Sequence, residues 1–284
     1  MRRLACALAA LVVVGTAGCA DGGETPSVAV GSAQDPESQL VAHVYAAALR
    51  FYGSPAHVEP SPDPMTKLDS GDVRVVPGFT GRVLRTFVPD ATARSATQVY
   101  REMVSALPEG IAAGDYTTSA EDKPALAVTE ATATAWGGRD ITAAVRNCEK
   151  LKVGQWKGSD APGPNVPSVL GTCKVPKPRE YPDRATLFAA VRAGEVNAAW
   201  TSTAAPNIPT ELLTLSDRTS LIRAENLVPL YRRNELNEAQ ALALNEVAGV
   251  LDTAALADMR AQVEDGTDPG LVAGAFLDEH PLGD

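Results

Sequence analysis

The residues best suited to metal or nucleophilic chemistry are few: His43, His57 and His280, and the cysteines Cys6, Cys19, Cys148 and Cys173. No histidine lies near a cysteine in the sequence, and no zinc spacing, Gly-rich phosphate loop or Gly-x-Ser-x-Gly elbow is visible. The carboxylates Glu121 and Asp122 are adjacent, so on a strand they would point to opposite faces rather than share a proton. These patterns disfavour catalysis and predict neither a metal nor a cofactor.

The cysteines sort by position. Arg2 and Arg3 precede an apolar run from Leu4 to Val14, then the small residues Gly15 to Gly18 and Cys19. This is the order of a secretory signal over residues 1–18, and the run is too short for a membrane-spanning helix, which needs about 20 apolar residues. Thr16-Ala17-Gly18-Cys19 resembles the bacterial lipobox, in which the cysteine is acylated and becomes the new N-terminus; ordinary cleavage with a free Cys19 is the alternative. Residues 19–27 read as a lipidated tether that holds the protein on the extracytoplasmic side of the cell membrane. Cys148 and Cys173 then remain in an oxidising compartment, and a disulfide between them is preferred over a metal pair or a catalytic thiol.

About 265 residues follow the signal, enough for one large or two modest domains. Hydrophobic residues make up 45%, which marks a globular chain, and the net charge of −10 argues against a nucleic-acid partner. Helical periodicity is clearest over Glu37–Tyr52, Ala96–Leu107, Arg184–Ala193, Asn237–Ala248, Thr253–Val263 and Pro269–Glu279. Strand patterns fall at Val28–Gly31, Ala125–Val128, Val196–Trp200 and Glu211–Leu215, with Leu68–Val76 a helix end and a strand. Pro77-Gly78 reads as a break, with Gly81–Phe87 continuing beyond it. Strands alternating with helices predict an α/β fold of mostly parallel sheets.

Several separated blocks carry a resemblance: Val30-Gly31-Ser32 with Pro36-Glu37-Ser38, Phe79-Thr80-Gly81, Leu107-Pro108-Glu109-Gly110, Glu121 to Thr129, Gly194-Glu195-Val196, Asn226 to Pro229, and Asp268 to Leu277. In this order the chain resembles the substrate-binding lipoproteins of osmoprotectant ABC importers, the glycine betaine, choline and carnitine binders. The resemblance implies a two-lobed periplasmic-binding-protein-like fold of type II, with the ligand in the cleft between lobes. It places lobe 1 at residues 28–124, lobe 2 at 125–225, and a return to lobe 1 at 226–284. It also implies a small-molecule solute and an ABC transporter permease as partners.

The family recognises quaternary ammonium groups with tyrosine faces, because such a cation has no hydrogen to donate and is drawn to the ring quadrupole. Here Phe79 takes one of those positions, whereas Pro124, Thr201 and Glu225 stand at the other three. Trp200, next to Thr201, is the nearest substitute ring, although neighbours on a strand face opposite ways and a core tryptophan is the competing reading. Ala33 stands where many members have lysine, Lys177 near a ligand-clamping arginine, and Arg82 where a small hydroxyl is common. The expected ligand-contacting set is Ser32, Gln34, Phe79, Thr80, Asp122, Trp200, Ser202, Thr203, Glu225 and Asn226. That set predicts a solute held by hydrogen bonds, such as a polyol, sugar, protonated amine or amino-acid derivative, rather than betaine. A non-transporting receptor or scaffold lipoprotein on the same fold is the competing reading, and it predicts a cleft filled by the protein's own side chains.

Overall fold

The structure, a computed structural model, describes residues 26–157 and 166–283. Cys19 and its signal lie outside the described residues, as does most of the Gly/Pro-rich stretch after Trp156. The first lobe begins with β1 (Val28–Ser32), α1 (Pro36–Phe51), β2 (Ala56–Pro60), α2 (Pro64–Ser70), β3 (Val75–Phe79), α3 (Thr80–Phe87), α4 (Ala96–Ala106) and β4 (Ile111–Ala113). The second contains β5 (Pro124–Thr129), α5 (Glu130–Trp136), α6 (Ile141–Arg146), β6 (Val153–Trp156), β7 (Val169–Leu170), β8 (Cys173–Lys174), β9 (Arg179–Tyr181), α7 (Arg184–Arg192), β10 (Ala198–Ser202) and β11 (Leu212–Thr214). The chain then returns with β12 (Leu227–Arg232), α8 (Glu238–Val250), α9 (Thr253–Glu264) and α10 (Pro269–Glu279).

One five-stranded sheet runs β2-β1-β3-β12-β4 and the other β11-β5-β10-β6-β9. β1, β2 and β3 are parallel, and so are β10, β6 and β9; β12 and β5 run against their neighbours. These directions place Ser32, Phe79 and the start of β12 along one edge of the first sheet, and Pro124 and Ser202 along one edge of the second. Ligands of open α/β sheets bind at such carboxyl-end edges.

α1 is the centre of the first lobe. Asp35 caps it by accepting from the Ser38 amide at 2.9 Å, Pro36 starts it, and Leu40 to Leu49 are nearly all enclosed by α8, α10 and the sheet. Asp183, Asp252 and Asp268 cap α7, α9 and α10 in the same way, so the helices with the clearest sequence pattern also carry their own start signals.

Two segments differ from the sequence expectation. Pro77-Gly78 lies inside β3 rather than breaking it, and Pro229 sits directly opposite Pro77 in β12. In an antiparallel pair alternate residues face each other without exchanging bonds, so two prolines can oppose there without losing a ladder bond. The Pro229 carbonyl points the other way and accepts from the Gly114 amide at 2.9 Å. Gly81–Phe87 continues as helix α3, not as extended chain, and Gly81 lets that helix press against the returning segment. A Cβ there would lie 2.6 Å from the Ala224 carbonyl oxygen and 2.8 Å from the Glu225 carboxyl group.

Cys148 and Cys173 form a disulfide with Cα atoms 5.5 Å apart. It ties the end of α6 to β8 beside the core around Trp200, where Cys173 is itself buried. The chain crosses between lobes twice, before β5 and before β12, and the two crossings are zipped together. Asp122 N donates to Glu225 O at 2.9 Å, Thr117 N to Leu227 O at 2.8 Å, and the Asn226 amide side chain to Thr117 O at 2.9 Å.

Candidate functional site

Where the two sheet edges meet the crossings, the side chains form a dense charge cluster. Arg82, on the first turn of α3, lies with its guanidinium 4.2 Å from the centroid of the Phe79 ring. One of its nitrogens donates to Glu37 Oε2 at 2.6 Å, and the other to Asp122 Oδ2 at 2.7 Å and to the Asp122 carbonyl at 3.1 Å. Arg260 of α9 approaches from the opposite side. It donates to Asp122 Oδ1 and to the Ala204 carbonyl, each at 3.0 Å, and sits 2.9 Å from Glu37 Oε1 as an ion pair without hydrogen-bond alignment. Glu225 accepts from the Arg82 backbone amide at 2.7 Å and from the Arg85 guanidinium at 3.1 Å.

The arrangement spans both lobes. Asp122 lies on a crossing, Glu37, Arg82 and Arg260 lie on first-lobe helices, and Ala204 follows β10 of the second. The Ala204 amide also donates to Asp122 Oδ1 at 3.2 Å. Further out, Arg184 of α7 pairs with Glu264 of α9 at 2.8 Å, and Asn207 donates to the same carboxylate at 3.3 Å.

Burial sets the protonation of this cluster. Withdrawal from water raises the Glu37 carboxyl to about 7, assisted by the charge of Asp122 and opposed by Arg82 and Arg260. Asp122 goes the other way. Burial works against its ionisation, but Arg260 and Arg82 outweigh it and hold the carboxyl below the usual value. Glu225 is also raised to about 7 by burial, against the pull of Arg82 and Arg85.

A carboxyl that keeps its proton more tightly when folded contributes stability that is complete below the unfolded value near 4.5 and is lost as pH rises through about 7. Urea denaturation is therefore expected to show stability falling between about pH 4.5 and pH 7, by on the order of 3 kcal/mol for each carboxyl shifted this far. Glu37→Gln, which mimics the protonated group, is expected to flatten part of that fall. An unchanged slope in the variant would assign the fall elsewhere.

The expected contact residues separate into three groups. Phe79, Asp122 and Glu225 belong to the charge cluster, and Ser202 lies close enough to Asp122 to help hold its carboxyl ionised. Thr80, Thr203 and Asn226 serve the crossings: Thr80 Oγ1 accepts from the Asn226 amide at 3.1 Å, and Thr203 Oγ1 donates to Glu121 O at 2.9 Å. Ser32 Oγ and Asn226 Oδ1 are buried without a protein partner, as is Oγ1 of Thr201, which stands at one of the vacated ring positions. Gln34 is exposed in the loop after β1, and Lys177 is exposed ahead of β9.

Trp200 lies elsewhere. It is fully enclosed in the core of the second lobe with Leu126, Ile141, Ala198 and Leu215, and offers no ring face to the cluster. β10 turns alternate residues to opposite sides, so Trp200 follows Ala198 into this core while Ala199 joins the core on the other face of the sheet. The residues that sequence reasoning missed are Glu37, Arg85 and Arg260. Arg82 had a signal, its departure from a small hydroxyl; Arg260 had none, because its carboxylate partners lie more than a hundred positions away. Among the described residues, no cluster of His, Cys, Asp and Glu could hold a metal ion, and no helix is long and apolar enough to cross a membrane.

Two α/β lobes joined by a pair of crossings, with a polar cluster between them, define a binding protein of the type II periplasmic class. The chain belongs to the family described as the substrate binding domain of ABC-type glycine betaine transport systems, whose profile matches residues 26–279. The role of that family is solute binding.

Solved structures agree on the fold. An apo YehZ from Escherichia coli superposes with a TM-score of 0.69 at 21% identity, covering 90% of this chain and 99% of the other. A glycine betaine/carnitine/choline ABC transporter structure gives 0.73 at 14% identity, covering 89% and 98%. The glycine betaine/L-proline-binding protein ProX from Borrelia burgdorferi gives 0.55 at 12% identity, covering 89% and 93%. No curated protein matches the sequence.

Proposed function

We propose that the protein is an extracytoplasmic solute-binding lipoprotein, anchored through Cys19, that delivers a small polar solute to an ABC importer. The observation that supports the ligand class is a set of buried polar atoms without a protein partner at the ends of β1 and β10 and on the second crossing: Ser32 Oγ, Thr201 Oγ1 and Asn226 Oδ1. A buried hydroxyl or amide oxygen without a partner costs on the order of 1–3 kcal/mol, so a hydroxylated solute that satisfies several of them gains affinity. Family membership supports the binding role, and the lipobox-like sequence ending at Cys19 supports residence beside a permease.

The test is calorimetry and thermal shift across polyols, sugars, amino acids and amines, with glycine betaine and choline included. Saturable binding of an uncharged solute, such as a polyol or sugar, is expected, and micromolar binding of glycine betaine or choline would overturn the ligand class. Lipidation is read separately, as acyl mass on protein extracted from membranes and its loss in Cys19→Ala.

One observation favours a second reading, a non-transporting receptor or scaffold lipoprotein. The ring face of Phe79 is covered by the chain's own Arg82, and that side chain is tied down on both sides by Glu37 and Asp122. Under this reading the solute panel produces no shift.

A further inference from the structure

The lobe junction holds a feature more specific than a polar cleft. An aromatic face flanked by carboxylates is a constellation for binding a cation, since the ring quadrupole and the carboxylates all favour positive charge at one point. Here Phe79 supplies the face and Glu37 and Asp122 the carboxylates, and the point is filled by a guanidinium that belongs to the chain. We infer that Arg82 is the specificity-determining residue of the cleft: a tethered cation that occupies the cation position, so that the solute taken carries no fixed positive charge. This inference rests on the solute-binding reading.

Three observations fix Arg82 there. Its planar fork is engaged at both ends, by Glu37 on α1 and Asp122 on the crossing, a geometry that no single-point ammonium reproduces. Its own backbone amide donates to Glu225 at 2.7 Å, which holds the start of α3 against the returning chain, and the bare Cα of Gly81 permits that approach. The remaining charges leave no opening for a second cation. Glu37, Asp122 and Glu225 each already face a guanidinium, of Arg82, Arg85 or Arg260, so the cluster contains as many cations as carboxylates. Protonating any carboxyl only tips the balance further toward positive. An incoming quaternary ammonium would have to expel Arg82 and leave it buried or displaced, whereas an uncharged solute can bind beside the pairs without breaking them.

Among structural relatives, a choline-binding protein was solved in complex with choline and a lactococcal OpuAC in complex with glycine betaine, both ligands that bring a fixed cation from outside. In this chain the cation comes from within.

The experiment is chemical complementation of Arg82→Ala. Thermal unfolding of the full chain and the variant is followed with tetramethylammonium, methylguanidinium and, as an uncharged isostere, neopentyl alcohol. The variant is expected to be stabilised by the two cations, by about 3–5 °C at ten times the dissociation constant, and the alcohol should not reproduce this. The unaltered protein should respond to none of the three. If Arg82→Ala does not fold, Arg82→Gln keeps much of the side-chain volume without the charge and is expected to show the same cation response, whereas Arg82→Lys, which retains a charge, is expected to show none. The inference is overturned if the unaltered protein responds to the cations as strongly as the variant, or if neither neutral variant responds to either cation. A wild-type chain that binds no solute in the panel would remove the transport reading while leaving the cation response of the variant intact, so the two failures are distinguishable.

Discussion

Asp122→Ala is expected to destabilise the protein by about 3–5 kcal/mol, the cost of breaking a buried charge network by removing one partner. The carboxylate is 5% exposed and contacts groups from three directions: Arg82 at 2.7 Å, Arg260 at 3.0 Å and the Ala204 amide at 3.2 Å. Its loss leaves two guanidiniums with only Glu37 between them, and Glu37 is the carboxyl that burial pushes toward its neutral form. The second lobe also loses its Ala204 link to the crossing. Asp122→Asn, which keeps the size but removes the charge, is expected to recover part of the loss. Equilibrium urea denaturation measures both variants, and an Asp122→Ala protein within about 1 kcal/mol of the parent would show that the cluster is solvated in solution.

The second large effect separates a core residue from a ligand contact. Trp200→Ala is expected to cost about 3–5 kcal/mol, the range for truncating a large aromatic in a packed core. Trp200 is wholly buried among Leu126, Ile141, Ala198 and Leu215, and its indole nitrogen has no partner, so packing is what it contributes. Folded Trp200→Ala protein should therefore keep the ligand profile of the parent. The opposite outcome, near-normal stability with lost binding, would return Trp200 to the cleft.

These two residues show what the sequence could reveal. The helices that carry an apolar stripe and an aspartate cap, such as α7, α9 and α10, were legible because both signals are local. β12 was not, since Pro229 reads as a strand breaker and only its pairing opposite Pro77 makes it acceptable. α3 was hidden by Gly81, whose low helix propensity is offset by the close approach it permits. The family resemblance pointed to Phe79, Asp122 and Glu225 through their blocks, and all three lie in the cluster. Their arginine partners were beyond reach for a physical reason. Arg260 meets Glu37 and Asp122 only after the last third of the chain has folded back on the first, and no periodicity encodes that return.

The same return has a consequence for the order of assembly. Until Leu227–Arg232 has been made, β3 has an open edge where β12 will pair, and roughly 150 residues of chain separate the two strands. β4 has no place in the sheet before then, because it is joined only through β12. The first lobe therefore cannot mature ahead of the second; a nascent or partly threaded chain stays unfinished until its C-terminal portion arrives.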